Sequence, residues 1–384
     1  MSLNIDWMNA ITLKVINKKA IEDLVFRNAA LLSYVRRNAF EPYTGGVSMD
    51  NAFLNGPMKG GFFQTGEPLS TDVVEPIAGQ TFTPRKASTS VGHYLENLAI
   101  NRGPAAIFSA LAIKHRAAMN TLNNIWDIAF YRHGQATTAG IISGDRVGAS
   151  NGLDEALNDG ITQGPFGDSF VSYGGQSRAG TDVAPGYYSV PYFVGNPTTG
   201  AGGEINYHHM MRSYLGTVQG GRSANIGLTN KALWGFLAEK IQAQQLFQFK
   251  MGETDAYWGA DSIKFMNTDI MIDQYCPSTL DGKNDPDLGN YLLGTFTANS
   301  TNQNTTDGRM PRDGSSTIVA GEALYWLNTE VLKFRLSNHP LFNFGWKGYV
   351  PQANGTKIVG QILSMGTLED RAPWLGRILF GAIS

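Results

Sequence analysis

The apolar positions along the chain fall into helical and strand-like blocks separated by long polar stretches. Residues 18–37, KKAIEDLVFRNAALLSYVRR, put Ile21, Leu24, Asn28, Leu31 and Val35 on one face, so the spacing predicts a helix. The strongest helical signal comes later. Arg102-Gly103-Pro104 sets proline in a first turn, and Gly134 closes the run after Tyr131-Arg132-His133. Between them Ile107, Leu111, Ala118, Leu122, Ile125 and Ala129 recur at three- and four-residue steps, and Phe108, Ala112, Met119, Trp126 and Phe130 widen the stripe. A helix over 104–133 would be ~45 Å long, the spine of an elongated body. GLDEALNDG (152–160) predicts one helical turn between glycine stops. Helices at 205–219 and 231–246 are predicted on either side of a strand, ANIGLTN (224–230). One strand is expected over 261–273, two over 322–337 (EALYWLNTE and VLKFRLS), and alternating apolar residues continue through the tail. The class is α+β. No period suggests a repeat architecture.

The polar stretches differ in kind. Residues 45–90 carry turn signals at Gly56-Pro57, Gly60-Gly61, Gly66-Glu67-Pro68 and Glu75-Pro76, with short β-prone pieces between. They hold too little aliphatic content for a core of their own, so they are either disordered or lie on another surface. Residues 134–204 contain 16 glycines and no lysine, and read as loops with short strands. A polar loop with Asn284-Asp285-Pro286 occupies about 279–316.

Composition then narrows the class. Of 384 residues 16% are charged, against roughly 25% for an average soluble domain. Glycine, at 45 residues, is also high. A surface short of charge suggests burial between chains, because interface cores are depleted in Lys, Glu and Asp; a neutral extracellular coat is the other explanation. No apolar run reaches the ~18–20 residues of a membrane span. The first residues, MSLNIDWMNAITLKVINKK, lack the signal-peptide pattern, so neither export nor a cleaved leader is expected. With Cys276 as the single cysteine, no internal disulfide or thiolate metal cluster can form. A net charge of −2 argues against a freestanding nucleic-acid binder. Residues 1–37 are mildly basic, with six basic and three acidic side chains; a solvated face accounts for these better than phosphate contact.

Catalytic motifs are missing. There is no Walker A, no G-x-S-x-G, no H-E-x-x-H and no G-x-G-x-x-G, so no catalytic, cofactor or metal site is expected. His208-His209 are adjacent and point to different faces of a helix. Asp281, Asn284, Asp285 and Asp287 do not follow a calcium-loop pattern and read as an Asx-rich turn. Cys276 beside Pro277 carries no mark of an activated thiol. The scattered tryptophans, Trp126, Trp234, Trp258, Trp326, Trp346 and Trp374, fit core packing better than a sugar-stacking groove. The doublets Arg36-Arg37 and Arg85-Lys86 are too little for a nucleic-acid groove.

The order of these elements resembles the major capsid protein of tailed bacteriophages, the Hong Kong 97-type fold, over essentially the whole chain. ASTSVGHYLENLAINRGPAAIFSALAIKHRAAMNTLNNIWDIAFYRHG looks like that family's peripheral strand and spine helix. SNGLDEALNDG resembles the element opening the axial domain, and NIGLTNKALWGFLAEKIQAQQLF its strand-then-helix. FMNTDIMIDQYCP and ALYWLNTEVLKFRLS resemble strands that build that domain and lead back out. The resemblance implies an N-terminal arm (1–45), an E-loop (46–90), a peripheral domain (91–140), an axial domain (141–328) and return strands (329–384). It further implies pentamers and hexamers in an icosahedral shell, around double-stranded DNA contacted without sequence preference. Portal, scaffolding and decoration proteins would be further partners, in a virion assembled in the host cytoplasm with no membrane. Lys59, Phe62, Phe63, Glu67, Asp72, Glu75, Arg85 and Lys86 become candidate intersubunit contacts, and Arg36 and Arg37 candidate arm contacts. Lys59 has no identifiable asparagine partner, so covalent crosslinking is not expected. An encapsulin-type nanocompartment shell is the alternative. A secreted glycan-binding or hydrolytic protein is the third reading.

Overall fold

The computed structural model describes residues 30–54, 61–66, 77–94, 104–131, 150–162, 164–165, 170–178, 187–196, 201–242, 263–273, 275–276, 322–351 and 356–383. A first helix (Ala30–Asn38) leads into β1 (Phe40–Tyr43), then a hairpin of β2 (Met49–Leu54) and β3 (Ile77–Phe82), then β4 (Arg85–Tyr94) and a long helix (Pro104–Tyr131). A short helix (Leu153–Ala156) precedes five brief strands, β5 (Ser172–Tyr173), β6 (Gln176–Ser177), β7 (Tyr192–Phe193), β8 (Gly195–Asn196) and β9 (Ala201–Glu204). Two helices (Tyr207–Leu215 and Lys231–Gln242) flank β10 (Ile226–Thr229). The remaining strands are β11 (Ile263–Phe265), β12 (Thr268–Ile272), β13 (Glu322–Leu327), β14 (Leu332–Ser337), β15 (Gly345–Pro351), β16 (Lys357–Asp370) and β17 (Arg377–Ile383).

These strands form two main sheets. In the five-stranded sheet the long β16 takes β4 on one edge, and β15 then β14 along the other, with β1 parallel to β14. The larger sheet runs β11-β12-β10-β13-β17-β9-β8, with β7 also pairing β17. Alternation in β13 explains its unbroken apolar run: Ala323, Tyr325 and Leu327 face one buried core, whereas Leu324 and Trp326 face another.

The long helix ties the two sheets together. Ala118, Leu122, Trp126 and Phe130 recur every four residues and are all buried. Trp126 and Phe130 meet Phe334 of β14 at 5.4 and 5.0 Å between ring centroids, and the Trp126 indole donates to Ser364 Oγ at 2.7 Å. At the helix end Tyr131 packs edge-on to Tyr325 of β13 at 5.2 Å. Gly360 of β16 is a steric requirement, since a Cβ there would fall 2.0 Å from the Trp346 ring.

The first helix is held by carboxyls from elsewhere in the chain. Leu31 and Leu32 N–H donate to Asp273 Oδ2 (2.8 Å) and Asp127 Oδ1 (2.6 Å), occupying donors that a helix start leaves open. Burial pushes both carboxyls above the usual range, and the Asp273 charge raises Asp127 further.

One strand assignment is corrected. Residues 261–273 do not form a single strand: β11 folds back on β12, with Ile263 opposite Ile270 and Phe265 opposite Thr268. The reversal occurs at Met266-Asn267, where Met266 adopts a left-handed φ of 53°. The buried positions change phase across the turn, from Ile263 and Phe265 to Thr268 and Ile270, with Met266 and Asn267 both exposed between them. Where strand passes to helix, Asn230 Oδ1 accepts from Leu233 N–H at 2.9 Å, so the asparagine caps Lys231–Gln242. The polar loop 279–316 and its Asx cluster lie outside the described residues.

Candidate intersubunit surfaces

The β2–β3 hairpin pairs Met49 with Phe82 at its root and Leu54 with Ile77 at its far end. Along it, Met49, Gln80 and Phe82 are buried, whereas Asp50, Ala52, Leu54, Ile77, Gly79 and Thr81 are exposed. The exposure at the far end is large, 76% for Leu54 and 67% for Ile77. In the connection beyond them, residues 61–66 are exposed throughout, including Phe62 and Phe63. Covering an apolar side chain of this size is worth about 1.5–3 kcal/mol, so four gathered on one projection make an adhesive end.

The root of the hairpin sits on two supports. On the sheet side, Glu41 of β1 lies opposite Arg335 of β14 in register, and alternation puts Glu369 of β16 on the same face. Arg335 Nε lies 2.9 Å from Glu369 Oε1 and 3.6 Å from Glu41 Oε2, while Arg371 Nη2 pairs with Glu41 and, at 3.0 Å, with Glu369. Asn51 of β2 enters this cluster: its Oδ1 accepts from Arg335 Nη2 (2.8 Å) and its Nδ2 donates to Glu369 Oε2 (3.1 Å). On the loop side, Phe53 stacks on Tyr187 at 4.8 Å, Phe82 meets Tyr173 edge-on at 5.1 Å, and Thr81 N–H donates to the Gly174 carbonyl. Arg178, fully buried, fixes this loop: its guanidinium lies 4.6 Å from the Tyr173 ring and donates to the Glu155 and Ala156 carbonyls.

A second uncovered surface lies on the five-stranded sheet. The long helix covers one face, reached by Thr89 Oγ1, which donates to the Ala118 carbonyl, and by His93 beside Lys114. The opposite face is set by register: Lys86, Ser88, Ser90 and Tyr94 of β4 stand against Met365, Leu363, Gln361 and Lys357 of β16. Lys86, Ser88, Ser90 and Tyr94 are exposed, as are Lys347 and Val350 on the neighbouring β15. β4, β15 and residues 357–366 contain no Asp or Glu, so this face is basic.

Two buried groups give the fold opposed responses to pH. Burial pushes the Asp370 carboxyl up to about 6, against the pull of Arg178. Its contribution to stability is complete below the ordinary value of 3.8 and is lost as pH rises through about 6. His93 is lowered to about 4 by burial and then by the Lys114 charge, so its contribution is complete above 6.5 and lost as pH falls through about 4. Comparing wild type with single variants by thermal denaturation from pH 4 to 7.5 isolates each. Asp370→Asn should be most damaging at the acid end, by up to about 3 kcal/mol more than at neutrality. His93→Gln should be least damaging there. Parallel profiles for wild type and either variant would remove that group from the account.

The candidate residues named from the sequence separate into groups. Phe62 and Phe63 lie at the exposed end of the hairpin, and Lys86 on the basic face; Arg85 is half-buried at the start of β4. Arg36 stacks its guanidinium 4.5 Å over Phe344, and Arg37 is exposed on the same helix. Lys59, Glu67, Asp72 and Glu75 lie outside the described residues. Sequence reasoning passed over Glu41, Asn51, Arg335, Glu369 and Arg371. Part of their signal was charge within otherwise apolar strands, at alternate positions in VLKFRLS and at the end of ILSMGTLED. Cys276 is buried, with its thiol well above the usual range through burial, and so is inert. No group of metal-ligating side chains occurs among the described residues, and no helix among them is long and apolar enough to cross a membrane.

No family model matches the chain, and no curated protein matches it. Solved structures do. The capsid asymmetric unit of Cyanophage A-1(L) superposes with a TM-score of 0.57 at 13% identity, covering 98% of this chain and 99% of that one. The capsid of the empty GTA particle gives 0.53 at 12% identity, covering 96% and 95%. The holo-SrpI encapsulin complex from Synechococcus elongatus also gives 0.53, at 6% identity, covering 97% and 95%. The likeness runs through both sheets and the long helix rather than through one motif, and the chain therefore has the mixed α+β, Hong Kong 97-type fold of these phage, GTA and encapsulin proteins.

Proposed function

We propose that this chain is the major subunit of an icosahedral capsid, assembling as pentamers and hexamers around double-stranded DNA. One observation carries the reading: the chain bears two exposed surfaces of complementary character, an acidic hairpin with apolar side chains and a basic sheet face. The hairpin and its connection, residues 46–84, hold Asp50, Glu67, Asp72 and Glu75 against Lys59, net −3, with apolar side chains at the far end. The part of the sheet face formed by β4, β15 and residues 357–366 presents Lys86, Lys347 and Lys357, while Glu369 and Glu41 farther along it are paired with Arg335 and Arg371. Hairpin on a neighbour's sheet face joins opposite charges and buries the apolar end. In this reading the hairpin is the E-loop, the five-stranded sheet with the long helix is the peripheral domain, the larger sheet is the core of the axial domain, and residues 1–45 form the arm. The phage and GTA capsids among the structural neighbours support a genome as cargo; an encapsulin-type compartment enclosing protein is the second reading, supported by the equally full-length likeness to the encapsulin.

Purified protein imaged by negative stain is expected to show closed shells carrying nuclease-protected DNA. Protein cargo without DNA would favour the compartment, and a stable monomer under all conditions would overturn both. Lys86→Glu combined with Lys357→Glu should prevent shell formation at ~0.15 M salt while the subunit stays folded. Normal shells from that variant would remove the sheet face from the contact.

A further inference from the structure

We infer that the charged cluster beneath the hairpin is a positioning clamp: Arg335 and Glu369 grip Asn51, fix the angle at which the hairpin leaves the body, and through that angle set the curvature of the shell. The second half of this rests on the capsid reading; the clamp itself does not.

A two-stranded ribbon has little stability of its own, so its direction depends on what holds its root. Here the loop side contributes stacked rings, the Thr81 N–H bond to the Gly174 carbonyl and a bond from the Gln176 side chain to the Gly79 carbonyl, all of them on one side of the ribbon. The sheet side supplies the second point. Asn51 uses both ends of its amide, accepting from Arg335 Nη2 and donating to Glu369 Oε2, so only one rotation of the side chain satisfies both partners. The partners are themselves immobile. Glu369 is fully buried and held from two sides, by Arg335 and by Arg371, and Arg371 is tied in turn to Glu41. Two arginines balance two glutamates, so the cluster is neutral. Ion clusters of this kind, with Glu369 buried and Glu41 and Arg371 partly exposed, add little net stability, so stability alone does not account for placing one here. What such a cluster supplies is direction: the amide must point one way, and the strand that bears it must follow.

The clamp is tested on the unassembled subunit and on particles together. Asn51→Leu removes both hydrogen bonds and leaves the Arg335–Glu369–Arg371–Glu41 pairs in place. Asn51→Asp keeps the acceptor but sets a second carboxylate against Glu369. In both, hydrogen exchange at the amides of β2 and β3 should accelerate about tenfold or more, with the long helix and β13 unchanged. Particles should become heterogeneous in diameter. The swap Asn51→Asp with Glu369→Gln restores a carboxylate–amide pair with the same net charge, and should recover both slow exchange and a single diameter. Unchanged exchange in the hairpin of Asn51→Leu would overturn the clamp, whatever the particles do. Faster exchange with particles of wild-type, uniform diameter would overturn the link to curvature. If wild type forms no particles, the capsid reading fails, and the exchange measurement still decides the clamp.

Discussion

Replacing residues 55–76 by a two-residue Asn-Gly turn should give a subunit that folds normally and forms no shell. Leu54 and Ile77 stand directly opposite each other in the ladder, so a two-residue loop closes the shortened hairpin. The root contacts of Asn51, Phe53 and Phe82 are untouched, and none of the described residues removed belongs to a buried core. The thermal midpoint should stay within about 2 °C of wild type, a change of roughly 1 kcal/mol. Assembly loses Phe62, Phe63 and three carboxylates at once, and sedimentation should show subunit-sized material only. Megadalton particles from the shortened chain would take the hairpin out of the contact between subunits.

The largest effect on stability is expected from Trp326→Ala. This ring has no exposure, sits on β13 in the middle of the larger sheet, and donates its indole N–H to Ser213 Oγ at 3.0 Å. Tyr214 and Phe265 close around it at 5.6 and 5.7 Å. Truncation leaves a cavity between the sheet and the Tyr207–Leu215 helix, at a cost of about 3–5 kcal/mol. Against a typical total of 5–15 kcal/mol, that should lower the thermal midpoint by about 4–7 °C. The exposed Lys347→Ala, as a control, should change it little. A Trp326→Ala midpoint equal to wild type would mean that this core is not packed as described.

What the sequence disclosed and what it hid follow from the range of each interaction. The long helix was legible because its proline start and its three- and four-residue period are local signals. The strand at 226–229 and the helix behind it were legible through apolar pattern, whereas the Asn230 cap at their junction was read only from the structure. Met266-Asn267 was not legible, because the two-residue turn contains neither glycine nor proline and a left-handed methionine announces nothing in sequence. The basic face was also illegible. Lys86, Lys347 and Lys357 come from three strands, and Arg85-Lys86 read alone is a trivial doublet; only the β4–β16 register makes a surface of them. The hairpin cluster is harder still, since Glu41, Asn51 and Arg335 meet across nearly the whole chain.

The place of β17 bears on the order of events in folding. It lies inside the larger sheet, antiparallel to β13 on one side and parallel to β7 and β9 on the other. During synthesis every other strand of that sheet is made first, and β9 has nothing but β8 to pair with until residues 377–383 emerge. Closing so distant a contact is slow, because the loop entropy is lost before the pairing rewards it. A nascent subunit therefore waits with its central sheet open. If the chain assembles as proposed, half-made chains could not present a finished surface to a neighbour, and only those whose synthesis has passed that strand would enter a shell.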